Sequence, residues 1–112
     1  MIVEERIYTL QVGAAPEYVG LYQAEGLAIQ EPILGHLVGY YTTEIGPLNQ
    51  VVHLWGYQDL EDRRERRARL VADERWKEYL KKVRPFLVTM ENKILIPAPF
   101  APPPRIEVRH GG

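Results

Sequence analysis

Two β-rich runs joined by a tight turn stand at the centre of this chain, and they restrict its fold more than any other feature. His36 to Glu44 and Gln50 to Tyr57 are dense in β-branched and aromatic residues, and Gly46-Pro47-Leu48-Asn49 between them supplies turn chemistry. A hairpin follows, so the sheet is antiparallel at its centre. Upstream, Ile2 to Val12 reads as a strand ending at Gly13, and a helix is predicted from Pro16 to Gln30, ended near Pro32, with Tyr18, Leu21, Tyr22, Glu25, Ala28 and Ile29 at helical spacing. Gly26 marks either a kink or a close packing contact in that helix. Downstream, Asp59 with Asp62 and then Asp73 signal two helix starts, with a break between Ala72 and Glu74. Pro85 closes the second helix, and Phe86 to Ile96 reads as the last strand.

The order strand, helix, strand, strand, helix, strand is the split βαβ pattern: an α+β, ferredoxin-like βαββαβ fold, a four-stranded antiparallel sheet with its helices on one face. Residues 1–97 form this domain, and residues 98–112 form a tail, since five of the nine prolines fall between Pro97 and Pro104. The uncovered sheet face is expected to carry Trp55 and several tyrosines, and a two-fold dimer in which each copy covers the other is the economical way to bury it.

Lys and Arg number 14 against 15 Asp and Glu, for a net charge of -1, which gives no electrostatic reason to expect nucleic acid or an anionic membrane as partner. With no cysteine, disulfides, thiolate metal sites and Cys nucleophiles are excluded. No closely spaced His, Asp and Glu set has metal-ligand spacing, so no metal is expected. The start Met1-Ile2-Val3-Glu4-Glu5-Arg6 lacks a basic stretch followed by an apolar run, and no segment reaches transmembrane length, which points to a cytoplasmic protein. The run from Arg63 to Arg69 is read as a solvated helix face laced with ion pairs, with acid-first spacing at Asp59/Arg63, Asp62/Arg66, Glu65/Arg69 and Glu78/Lys82.

Strand alternation places Glu4, Arg6 and Tyr8 on one face of the first strand, and Val51, His53, Trp55 and Tyr57 on one face of the third. If these faces meet in a pocket, an imidazole near neutrality can move a proton, Arg6 can hold a carboxylate or enolate, and Tyr8 can donate a hydrogen bond. Glu91 on the last strand is the residue expected to orient the imidazole or the guanidinium. Trp55, Tyr40, Glu4 and Asn49 are the candidate ligand contacts, Asn49 serving equally well as plain turn geometry. A bulge would exchange Glu4 and Glu5. The same residues also suit a buried hydrogen-bonded network that fixes dimer register, with no ligand at all.

Three blocks resemble the NIPSNAP family: Glu4-Glu5-Arg6-Ile7-Tyr8-Thr9-Leu10, Gly46-Pro47-Leu48-Asn49-Gln50-Val51-Val52-His53-Leu54-Trp55-Gly56-Tyr57 and Glu91-Asn92-Lys93-Ile94-Leu95. The resemblance covers residues 2–98 and implies a dimeric α+β barrel, a superfamily with cofactor-light monooxygenases, haem-degrading enzymes and small isomerases. It implies a homodimer with a small-molecule pocket in the dimer barrel and acid–base or cofactor-independent monooxygenase-type chemistry. No cofactor is expected; haem is the alternative, with His53 as its only available axial ligand, although the haem-degrading relatives take that histidine from a helix. The competing reading is a non-catalytic interaction module acting through the charged helix or through Ala98 to Arg105 in polyproline II form.

Overall fold

The computed structural model describes residues 1–102; the tail from 103 onward, including Arg105 and His110, lies outside the described residues. The chain runs β1 (Ile2–Leu10), α1 (Ala15–Leu21), a π-helical turn (Tyr22–Gly26), α2 (Leu27–Leu34), β2 (His36–Thr42), β3 (Gln50–Tyr57), α3 (Leu60–Ala72), α4 (Glu74–Val83), a 3-10 turn (Arg84–Phe86) and β4 (Leu87–Leu95). All strand pairs are antiparallel and the sheet order is β2-β3-β1-β4, which is the βαββαβ arrangement with helices on one face.

The first helical stretch is longer than its sequence pattern indicates, and its buried stripe is displaced. Tyr18 and Tyr22 are buried as expected, but beyond them the buried residues are Gly26, Gln30 and Leu34, while Ala28 is exposed. The π turn is the cause, because the Leu27 N–H reaches back five residues to the Tyr22 carbonyl and the added residue advances the inward face by one position. Gly26 lies where the helix is pressed closest: a Cβ there would sit 2.7 Å from Tyr79 Cζ and 2.9 Å from Tyr22 Cδ1. Pro32 does not end the helix. It sits in the last turn, and burial of Leu34 at 0% exposure, worth about 1.5–3 kcal/mol, offsets the missing backbone donor. The chain turns out at Gly35, whose φ of +96° suits a residue without a Cβ.

Asp59 caps α3 by accepting from the Asp62 N–H at 2.7 Å, and Asp62 in turn accepts from the Gln58 N–H at 3.0 Å, one residue before the cap. Asp73 ends α3 and caps α4, accepting from the N–H groups of Arg75 and Trp76, so the break falls where the capping signal placed it. Trp76, Tyr79 and Val83 form the buried stripe of α4. Of the four expected acid-first pairs only Asp62–Arg66 forms among the described residues; exposed lysines pair at i,i+3 instead, and Lys82 crosses to Glu25.

The sheet faces are the reverse of the expectation. Glu4, Arg6, Tyr8, Val51, His53, Trp55 and Tyr57 are buried beneath the helices, where Tyr8, His53 and Tyr40 meet Tyr18, Tyr22, Trp76 and Tyr79. The open face carries Val3, Glu5, Ile7 and Thr9 from β1 and Val52 and Leu54 from β3. The aromatic residues of helix and sheet fill one core jointly, because neither layer alone supplies enough surface to bury the other.

Candidate functional site

β1 and β3 place their inward residues opposite one another in register, Glu4 with Trp55, Arg6 with His53 and Tyr8 with Val51. Two connected polar groups result, one around His53 and one around Glu4.

The His53 ring stacks on Tyr40, with centroids 4.8 Å apart and planes 20° apart, and meets Tyr8 edge-on at 4.9 Å. Trp55 donates its indole N–H to His53 Nδ1 at 2.7 Å. An indole nitrogen can only donate, so Nδ1 is the acceptor and the neutral ring carries its proton on Nε2. That Nε2 is buried and has no partner among the described residues. His53 lines a chamber of about 40 Å³ with Tyr8, Tyr18, Tyr22, Gln30, Tyr40 and Tyr79, completed by Trp76, Leu80 and Val83 of α4 and by Leu87 and the half-exposed Met90 of β4. The Tyr79 hydroxyl is a second buried group there without a partner among the described residues. Gln30 accepts from the Tyr22 hydroxyl at 2.6 Å.

Burial, reinforced by the charge of Arg6, pushes the His53 imidazole down to about 3. The ring is therefore neutral at physiological pH and serves as a fixed hydrogen-bond donor; the expectation of an imidazole titrating near neutrality is corrected. Burial also holds the hydroxyls of Tyr18, Tyr22, Tyr40 and Tyr79 well above the usual phenol range, so they too remain protonated. A chamber lined by neutral donors favours an oxygen that carries or develops negative charge.

The second group surrounds Glu4, which is fully buried, while Glu5 is half-buried on the other face beside Lys93 at 3.5 Å. Glu4 Oε2 accepts from Arg6 Nη1 at 3.1 Å, Arg63 Nη2 at 2.7 Å and Asn92 Nδ2 at 2.7 Å. Burial pushes this carboxyl up, but the hydrogen bonds from Arg63 and Asn92 and the charges of Arg6 and Arg63 outweigh it and hold the group below its ordinary value. Arg6 also donates from Nε to the Tyr8 hydroxyl at 2.9 Å, and so joins the two groups.

Of the sequence candidates, the structure brings together Glu4, Arg6, Tyr8, Tyr40, His53 and Trp55. Trp55 acts through His53 and does not line the chamber. Glu91 is not with them. It pairs with Ile7 and lies exposed on the open face, while its neighbour Asn92 pairs with Arg6 and takes the inward place. Asn49 is also elsewhere: its side chain accepts from the Gly13 N–H at 3.0 Å and its carbonyl accepts from Leu10 N at 2.7 Å, fastening the hairpin loop to the end of β1. His36 borders a separate surface groove with Glu31, Pro32 and Arg66.

The pocket expected on the uncovered sheet face is corrected to one beneath the helices, inside a single chain. A haem ring does not fit over His53 in a space of about 40 Å³. Among the described residues no group of three His, Cys, Asp or Glu side chains is placed to hold a metal ion.

Asn92 was missed, and Arg63, which the sequence pattern placed on a solvated helix face, reaches Glu4. Arg63, Arg66, Arg67 and Leu70 follow the i, i+3, i+4, i+7 spacing of an inward helix stripe, but the first three are charged and so resemble a solvated face. Arg66 donates to Asp62 at 2.8 Å and to the Ile33 carbonyl at 3.3 Å, tying α3 to α2.

The ferredoxin-like sheet, its single helical layer and a chamber between the two define an α+β domain of the kind found in dimeric α+β barrel proteins. A putative antibiotic biosynthesis monooxygenase from Nitrosomonas europaea shares this fold at a TM-score of 0.64 and 8% identity, covering 87% of this chain and 98% of that one. The chain belongs to the NIPSNAP family, whose model matches residues 3–102. An uncharacterized NIPSNAP-like domain protein from Burkholderia xenovorans is 56% identical, with a TM-score of 0.93 over 96% of this chain and 94% of that one. Protein NipSnap homolog 2 of Danio rerio is 34% identical over 101 residues, 90% of this chain and 35% of that protein. The chain spans about a third of the length of the curated relatives it matches. No described helix is long and apolar enough to cross a membrane.

Proposed function

We propose that this domain binds a small molecule through an acceptor oxygen in the chamber between sheet and helices, with the His53 Nε2–H as principal donor. The observation that carries this reading is a buried imidazole N–H without a partner among the described residues, held in one tautomer by Trp55, on a histidine that lines a space together with five tyrosines. A donor set of this kind stabilises an enolate or phenolate, the species that cofactor-independent oxygenation and proton-transfer chemistry have in common. His53 would then stabilise charge and leave proton removal to another group. Admission of anything larger than a few waters needs α4 to move from β4 at Met90.

The proposal includes a cytoplasmic homodimer formed through the open sheet face, where Val3, Val38, Leu54 and Leu95 line an apolar groove of about 470 Å³ and Tyr41 is 57% exposed. Sedimentation tests the dimer: Leu54→Glu is expected to give monomers, and an unchanged oligomeric state opposes it. Nitrogen-15 histidine NMR tests the chamber, with phenol and acetone as probes. A saturable shift of the His53 Nε2 resonance is expected, and it should vanish in Met90→Trp, which plugs the mouth. No shift with either probe refutes the reading.

The smallness of the chamber favours one second reading. If nothing enters, the polar network serves the fold alone, and the domain works as a non-catalytic interaction module through α3 or the tail.

A further inference from the structure

The helix layer stops short of β4. Eight of the nine residues of that strand are exposed, and among the described residues its outer edge pairs with no other strand. Met90 and Ile94 stand opposite Tyr8 and Glu4, on the side of the sheet that faces the helices, yet they are 52% and 38% exposed. A long edge with free backbone groups and exposed apolar side chains is a template for another strand. The other edge is protected, since β2 has seven residues and its register is broken between Leu37 and Gly39. From Thr89 to Leu95 β4 runs without a break.

What this edge fits is written in the strand itself. Outward from Asn92 come Glu91 on one side and Lys93 on the other, then Met90 and Ile94. A second β4 laid antiparallel about a two-fold axis at Asn92 therefore sets opposite charges together twice and apolar side chains together twice. A slip of two residues sets Glu91 against the partner's Glu91, or Lys93 against the partner's Lys93, and a slip of one sets charged groups against uncharged ones. We propose that the edge of β4 joins a second copy of this chain in the Asn92-centred register, and that the partner's Ile94 stands beside Met90 at the margin of the tyrosine chamber. This rests on the homodimer reading above and gives it a register: the twist of the joined sheet turns the two open faces toward each other, so edge and face form one interface. Met90 lines the chamber, and directly opposed side chains lie about 5 Å apart at Cβ, so the partner completes the wall through which a ligand must pass.

The test is sedimentation equilibrium of the full chain and its charge variants. Glu91→Lys and Lys93→Glu each set like charges opposite one another at two places and should raise the dimer dissociation constant roughly tenfold or more. An equimolar mixture of the two should recover the affinity as a heterodimer, and so should the double variant Glu91→Lys/Lys93→Glu, because opposite charges then face again. Lys93→Glu also loses the Glu5 contact, so thermal melting checks that each variant keeps its fold. Register is read independently of charge by cysteines, since the chain has none of its own. Oxidation should link Glu91→Cys to Lys93→Cys, and Met90→Cys to Ile94→Cys, with no variant linking to itself, because only directly opposed residues lie within disulfide reach. A wild-type monomer overturns both the homodimer and its register. A dimer that Leu54→Glu dissociates and neither charge variant weakens keeps the open-face contact and overturns the edge pairing. A dimer that both charge variants weaken, that their mixture restores and that Leu54→Glu leaves intact supports the edge and overturns the open-face contact. Self-linked Glu91→Cys, or no link between Met90→Cys and Ile94→Cys, overturns the register.

Discussion

Acidification should weaken this protein through His53 before any carboxylate titrates. In the folded chain burial and Arg6 hold the imidazole down to about 3, whereas in the unfolded chain it returns to 6.5. Below 6.5 the unfolded state binds a proton that the folded state refuses. The stability contribution is therefore complete above that value and is lost as pH falls toward 3. One group in this regime contributes about 1.4 kcal/mol per pH unit, so the loss between about pH 7 and about pH 5 comes to about 2 kcal/mol. His53→Phe isolates the effect. The phenyl ring keeps the stacking on Tyr40 and does not titrate, but Trp55 Nε1 loses its acceptor, a cost of about 1–3 kcal/mol that is independent of pH. Urea unfolding of both proteins in half-unit pH steps should show the variant less stable at neutral pH and the gap closing by about 2 kcal/mol at the acid end. Parallel stability curves, or a His53 ring resonance that titrates near 6.5, would refute the reasoning.

Glu4→Gln removes the negative centre that Arg6 and Arg63 share and should cost about 3–5 kcal/mol in urea unfolding, the scale for breaking a buried ion pair. Because the folded Glu4 carboxyl is held below its ordinary 4.5, its contribution is present above that value and lost as pH falls through the folded one, so the variant should also lack this step of acid loss. A variant within about 1 kcal/mol of wild type contradicts the account of the cluster. Gly26→Ala forces a methyl against the buried rings of Tyr79 and Tyr22 and should lower stability by about 1–3 kcal/mol, seen as a lower melting temperature; an unchanged one would mean that the π turn has slack. Gly35→Ala meets both a positive φ and the Arg66 head, where a Cβ would stand 2.6 Å from Nη1, and should cost about 1–3 kcal/mol by the same assay.

Periodicity and punctuation sufficed for the elements and their order, because the hairpin turn, the two Asp caps and the strand alternation are local signals. Three things were not local. The open and covered faces of the sheet both carry apolar residues, so alternation separated Glu4, Arg6 and Tyr8 from Val3, Glu5 and Ile7 without saying which set met the helices. In β4 the choice between Glu91 and Asn92 depended on a register shift opposite Thr9 and Leu10, which no residue in β4 announces. The shifted stripe of α2 depended on the π turn, whose only trace in the sequence is Gly26. The arginines of α3 were misread for another reason: their spacing was that of a core stripe while their chemistry was that of a surface, and the chemistry prevailed.

That arginine stripe bears on how the domain breathes. A helix held by leucines must uncover oily surface to leave its seat, and water resists. α3 is seated chiefly by Arg63 and Arg66, with Leu70 its one fully buried apolar contact, so its inward side can be rehydrated as it lifts. α4, with Trp76, Tyr79 and Val83 beneath it, has no such exchange to make. Amide protons of α3 should therefore trade with deuterated water sooner than those of α4, and added salt should hasten the first while leaving the second nearly untouched. A small domain thereby acquires a hinge of ions beside a hinge of oil, one loosened by the composition of the surrounding solution and the other indifferent to it.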